Sequence, residues 1–205
     1  MKRYNLAYIP ELIDTKLMLY FKNNLNLSSE DIENLSIGVT VIIFNIFEAF
    51  LVLICSVFLG IIKETIIFYI MFIMLRIFAA GVHCKTGHAC IITTFILFIG
   101  ASLLAKYYPL AISKVFIIVV ASIGLLFKYA PADTENRPIL GHDHRRKLKI
   151  KTVLSASLIL FISLLSNDPL IFNCAMYALI IEVISVLPFT YKLLGVNYNN
   201  YRLYE

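Results

Sequence analysis

Charge is scarce in this chain of 205 residues: 15% are Asp, Glu, Lys or Arg, against 60% that are hydrophobic. Water-soluble domains run at about 25% charged and 45–50% apolar, and a chain of this length has too little interior to hide the excess. The shortage excludes a soluble globular domain and leaves an integral membrane protein. Disulfide scaffolding is excluded as well. Of the four cysteines, Cys55 and Cys174 lie in apolar runs, where they read as inert filler, and Cys84 and Cys90 share one polar break, which is no framework. Metal motifs of the CxxC or HExxH kind are missing, and so is a nucleotide-binding loop, which argues against ATP-driven pumping. A cleavable signal peptide is not expected, because the early charges are scattered rather than gathered before an apolar core. No repeat or low-complexity tract divides residues 1–205, which read as a single domain.

Hydrophobic length organises what is present. About 20 apolar residues span a bilayer, within a range of about 17–25, and six stretches are candidates: 37–60, 64–80, 89–105, 109–127, 150–166 and 169–188. The expected fold class is therefore all-α, a polytopic membrane protein of about six transmembrane helices. Residues 1–36 form an expected cytoplasmic or interfacial region, 37–188 the bundle and 189–205 a cytoplasmic tail. In the first region Pro10 suits a helix's first turn, and Ile9, Ile13, Leu17, Tyr20 and Phe21 recur at helical spacing. That pattern predicts an amphipathic helix, lying on the inner leaflet or packed on the protein's own cytoplasmic face. Ser28 and Asp31 match a capping box that opens the helix leading to the first span. With the N-terminus inside, 15 of the 18 Lys and Arg fall in inner segments, leaving Lys63, Lys106 and Lys114 outside. Such a bias puts both termini, the break near residue 83 and the long loop 128–151 on the cytoplasmic side. The net charge of +5 follows from this rule and calls for no nucleic acid.

The break itself, "GVHCKTGHAC", packs His83, Cys84, His88 and Cys90 into eight positions. A cysteine becomes a nucleophile when a nearby base takes its proton. On a continuous helix, residues seven apart share a face but sit about 10 Å from each other, whereas a working pair approaches to about 3 Å. A His83–Cys90 dyad therefore requires the backbone to fold back between them, with Gly87 as the expected hinge and Gly81 as the end of the preceding helix. The rival reading is a mixed site for zinc or copper from His83, Cys84, His88, Cys90, His142 and His144, as in a metal-binding transporter or sensor. From the residues alone the two stand level. Glu48, with Asn45 one turn earlier, is read as the one acidic residue deep in an apolar span. It is expected to pair with Arg76 or Lys114 as a helix-packing or dimer contact.

These residues resemble a known family. Gly81, His83 and Cys90 match in order and spacing the mark of the AgrB family, membrane cysteine endopeptidases of bacterial peptide quorum sensing. In the long loop "YAPADTENRPI" is similar to that family's Pro-x-x-(Ser/Thr)-x-Asn-(Arg/Lys)-Pro segment, with Pro131, Thr134, Asn136, Arg137 and Pro138 in place and a basic "RRKLKIK" following. Cys84 departs from the small residue usual after the histidine, and Ala80 stands where a glycine is common. The resemblance implies cleavage and cyclisation of an AgrD-type precursor peptide at the bacterial cell membrane, with no cofactor or metal. His83 is then the base and Cys90 the nucleophile of a thioester acyl-enzyme that resolves to a thiolactone or lactone. Arg145, Arg146 and Lys147, with Lys149, become candidates to hold the precursor's acidic tail, and Arg76 a candidate oxyanion or substrate contact. A homodimer is implied too. Glu48, Asp133, Glu135 and Asp143 are candidates for a third catalytic member, and His88 for an alternative base.

Overall fold

A computed structural model describes residues 8–24, 28–135 and 137–205. Lys2 and Arg3 of the charge count, and Asn136 of the loop motif, lie outside the described residues; so do the side chains of Ile9, Pro10 and Lys114. Among the described residues there are eight α-helices, a 3₁₀ turn at Asn200–Leu203 and no strand beyond two isolated bridges. The helices are α1 (Tyr8–Asn24), α2 (Ser29–Phe58), α3 (Ile62–Ala79), α4 (Gly87–Tyr107), α5 (Ile112–Tyr129), α6 (His142–Leu165), α7 (Pro169–Val186) and α8 (Pro188–Leu194).

The predicted cap holds: the Ser28 hydroxyl accepts the Asp31 N–H at 3.1 Å and donates to the Asp31 carboxylate at 2.6 Å. α1 lies against α2, where the Thr40 hydroxyl donates to Asp14 at 2.8 Å. Among the described residues, four helices are long and apolar enough to cross a membrane: α4, α6, α7 and the Gly38–Phe58 section of α2. Val115–Tyr129 of α5 is a shorter apolar helix, and α3 carries Lys63, Glu64 and Arg76 along its 18 residues. The bundle is apolar outside, with Ile46, Phe50, Phe116 and Phe161 exposed. Its interior is small and partly polar: Ala101, Ala105, Ala156, Ala175 and Ala178 are buried beside Ser102 and Thr152, whose hydroxyls return to backbone carbonyls of their own helices. Membrane helices pack through such small residues because lipid gives them no hydrophobic reason to associate. α7 is the axis, packing against α3, α4, α5 and α6.

Two expectations need correction. α6 begins at His142 rather than 150, so the basic "RRKLKIK" is helix and not loop. Lys and Arg are good helix formers, and the helix simply outruns its apolar section. Gly87 is not the hinge; it is the first residue of α4, and its bareness admits the Phe44 ring, which a Cβ would meet at 2.6 Å.

Candidate active site

The chain reverses at Ala80 (φ 57°) and Gly81 (φ 111°), just after α3 ends. Ala80 bridges Ala132 in parallel: the Gly81 N–H donates to Ala132 O at 2.7 Å and the Ala132 N–H to Ala79 O at 3.0 Å. Gly81 is required twice over. Its φ favours glycine, and a Cβ there would stand 2.1 Å from Arg76 Nη1 and 2.5 Å from Ser185 Oγ. The Val82 N–H then donates to Ser185 O at 3.0 Å, tying the loop to the end of α7. Thr86 closes the loop by capping α4, its hydroxyl accepting the Ala89 N–H at 3.3 Å. Cys90 follows in the first turn, its N–H donating to Thr86 O at 3.0 Å.

The reversal brings His83 Nδ1 to 4.0 Å from Cys90 Sγ, where an unbroken helix would hold them at about 10 Å. His83 keeps an exposed edge, yet the groups packed behind the ring, with Arg76 and Arg137, lower its pKa from 6.5 to about 4. At physiological pH the imidazole is therefore neutral and able to accept a proton. The second thiol of the break turns elsewhere: Cys84 Sγ lies 3.7 Å from Thr93 Oγ1. His88 sits in α4's first turn.

Of the four carboxylates considered for a third member, Glu48 alone reaches the thiol. It is 7% exposed and its carboxylate lies beside the side chains of Cys90 and Thr94. The expected Arg76 partner is taken by another acid, Glu182, at 3.7 Å. Glu48 is thus not the only acid deep in an apolar run. Glu182, in "LIIEVI", carried the same sequence signal and was missed, as was Ser185. Asp133 is spent on the C-terminal segment, accepting the N–H groups of Asn200 at 2.9 Å and Tyr201 at 2.7 Å. Glu135 accepts the Asn197 N–H at 3.3 Å, and Asp143 stands exposed beside His142.

Arg76 is engaged on all sides, donating to Val82 O at 2.6 Å and Ser185 Oγ at 2.8 Å. Arg145 is engaged too. It binds the Glu205 carboxylate through two bonds of 2.8 Å and stacks 3.9 Å over the Tyr201 ring. Glu205 also accepts the Gly141 N–H at 2.6 Å, and these two contacts hold its pKa down at about 2. A cavity of about 590 Å³ opens beside this pair, lined among others by Lys128, Arg146, Lys149 and Arg202. Among the described residues none of those four cations forms an ion pair with a carboxylate. Lys147 is exposed and outside the lining. No group of three or more His, Cys, Asp or Glu among the described residues is placed to hold a metal, and the histidines of the two loops form no such group.

A family model described as Accessory gene regulator B matches residues 15–186. A protein of Clostridium acetobutylicum named AgrB-like is 38% identical over 186 residues, covering 90% of this chain and 89% of its own. An AgrB-like protein of Listeria monocytogenes is 30% identical over 172 residues, 82% of each chain. The Accessory gene regulator protein B of Staphylococcus intermedius is 27% identical over 174 residues, 84% of this chain and 91% of its own. No solved structure matches the chain.

Proposed function

The chain belongs to the accessory gene regulator B family, and from that premise we propose that it is a membrane-embedded cysteine endopeptidase that processes and cyclises a quorum-sensing precursor peptide of the AgrD type. The observation that carries this reading is the 4.0 Å approach of His83 Nδ1 to Cys90 Sγ across a backbone reversal.

The neutral imidazole takes the Cys90 proton as sulfur attacks a backbone carbonyl near the precursor's C-terminal end. The proton then passes to the departing amine, the tail leaves, and a thioester joins the peptide to Cys90. A cysteine thiol or serine hydroxyl within the peptide attacks that thioester, its proton returning through His83 to the Cys90 sulfur. Exchange of one thioester for another is nearly isoenergetic, so ring closure needs no nucleotide. Cys90 is only partly exposed, and keeping water from the acyl-enzyme favours cyclisation over hydrolysis. Glu48, the carboxylate beside the same thiol, is the third member.

An acidic tail fits the basic cavity. Arg146 offers a free charge there, joined by Lys128, Lys149 and Arg202, whereas Arg145 already carries Glu205 and Lys147 stands outside the lining. The loop with His83, the 130–141 loop, the basic start of α6 and the tail gather at one end of the bundle. That clustering of Lys and Arg supports a cytoplasmic active site and cytoplasmic termini. Reconstituted with a precursor peptide in proteoliposomes, the protein should release the tail and the Cys90→Ala variant should not. Tail release that survives Cys90→Ala ends this reading.

A further inference from the structure

The carboxylate of Glu182 is fully buried in α7, and neither of its oxygens has a hydrogen-bond partner. Its one close counter-charge among the described residues is Arg76 Nη1 at 3.7 Å. A carboxylate left in that state costs stability, and an apolar residue would pack an apolar helix better. What the acid does is visible one turn further on. Ser185 grips the loop at two points: its hydroxyl accepts Arg76 Nη1 at 2.8 Å, and its carbonyl accepts the Val82 N–H at 3.0 Å. Arg76 in turn donates to the Val82 carbonyl at 2.6 Å. Both peptide groups of Val82, the residue before His83, are thereby clamped, one by α7 directly and one by a guanidinium that α7 holds in place. Gly81 has no room for a side chain because this clamp fills the space.

We propose that Glu182 and Ser185 are positioning residues which, through Arg76, set the His83 imidazole at the Cys90 sulfur. The inference rests on His83 and Cys90 being the reacting pair. Within it, Arg76 works on the loop rather than on substrate. Glu182 supplies the attraction that keeps the guanidinium aimed at Val82, and Ser185 the bond that fixes its distance.

The test is the rate at which iodoacetamide alkylates Cys90 in the full-length protein in nanodiscs, read at that residue by peptide mass spectrometry across pH 5–9. Precursor kcat and KM are measured beside it. His83→Ala should slow alkylation at neutral pH by about tenfold or more, as loss of a working base does. Glu182→Gln, which preserves volume and removes the charge, should reproduce most of that loss and shift the pH profile towards that of His83→Ala. It should lower kcat with KM within about twofold, the pattern of an interaction needed for reaction rather than binding. Arg76→Lys should not rescue, since an ammonium cannot reach Val82 and Ser185 in the same fork geometry. The double variant Glu182→Gln/Arg76→Met should be no slower than Arg76→Met alone, because both act through one clamp. A wild-type alkylation profile in Glu182→Gln, whatever its melting temperature, overturns the inference. If His83→Ala also alkylates at the wild-type rate, the dyad itself has failed and the inference falls with it.

Discussion

The two ends of the bundle are built on different terms. At one end two connections are tight turns, 59–61 and 166–168, and among the described residues charge is matched: Lys63 meets Asp168 at 3.8 Å, while Lys106 meets Glu64 at 3.6 Å and donates to Gly60 O at 2.6 Å. At the other end the loops run over 80–86 and 130–141, bridge each other through main-chain bonds, and leave cations unmatched around a cavity. A matched end serves the fold alone. An end with spare charge, a strained reversal and a thiol against an imidazole keeps interaction energy for something outside the chain.

The contrast can be broken by substitution. The largest effect belongs to the dyad: Cys90→Ala or His83→Ala should lower tail release by about 1,000-fold or more, in line with losing a nucleophile or its base, with the melting temperature almost unchanged. Glu48→Gln should come next. We expect turnover down by about tenfold, measured with insertion confirmed by protease protection, and a variant equal to wild type removes Glu48 from the reaction. A pH profile sharpens the picture further. Because His83 stays neutral until about pH 4 rather than 6.5, the acid limb of turnover should fall near pH 4, provided the assay stays within the folded range. An acid limb at 6.5 would mean that the ring is freely solvated.

The same depression has a stability consequence. Between pH 6.5 and about 4 the unfolded chain binds a proton that folded His83 refuses, so stability declines as pH falls through that window. His83→Gln should flatten the decline in a thermal melt. The smallest effect belongs to the matched end, where Lys106→Met should cost about 1 kcal/mol or less and leave tail release at the wild-type level. If Lys106→Met cuts turnover as deeply as Glu48→Gln, the division between the ends is wrong.

How far the sequence anticipates this depends on the range of each interaction. Hydrophobic length locates the helices to within a few residues because burial in lipid is a property of each segment alone. α6 is the exception, since hydropathy is blind to the basic turns before its apolar section. The His83–Cys90 spacing shows that a reversal is needed, but its place at Ala80–Gly81 depends on Ala132 and Ser185, both distant in sequence. Which acid meets Arg76 is decided by how α7 is rotated against α3, and no periodicity in either helix encodes that. The tail's attachment to Asp133 is equally hidden, being made mainly through backbone N–H groups that every residue carries.

Position 81 is where three parts of the chain meet: a methyl there would press on the Arg76 guanidinium and the Ser185 hydroxyl together. The smallest side chain would therefore reach the histidine through the two groups that hold Val82, and the shape of the loop is tied to one missing carbon atom.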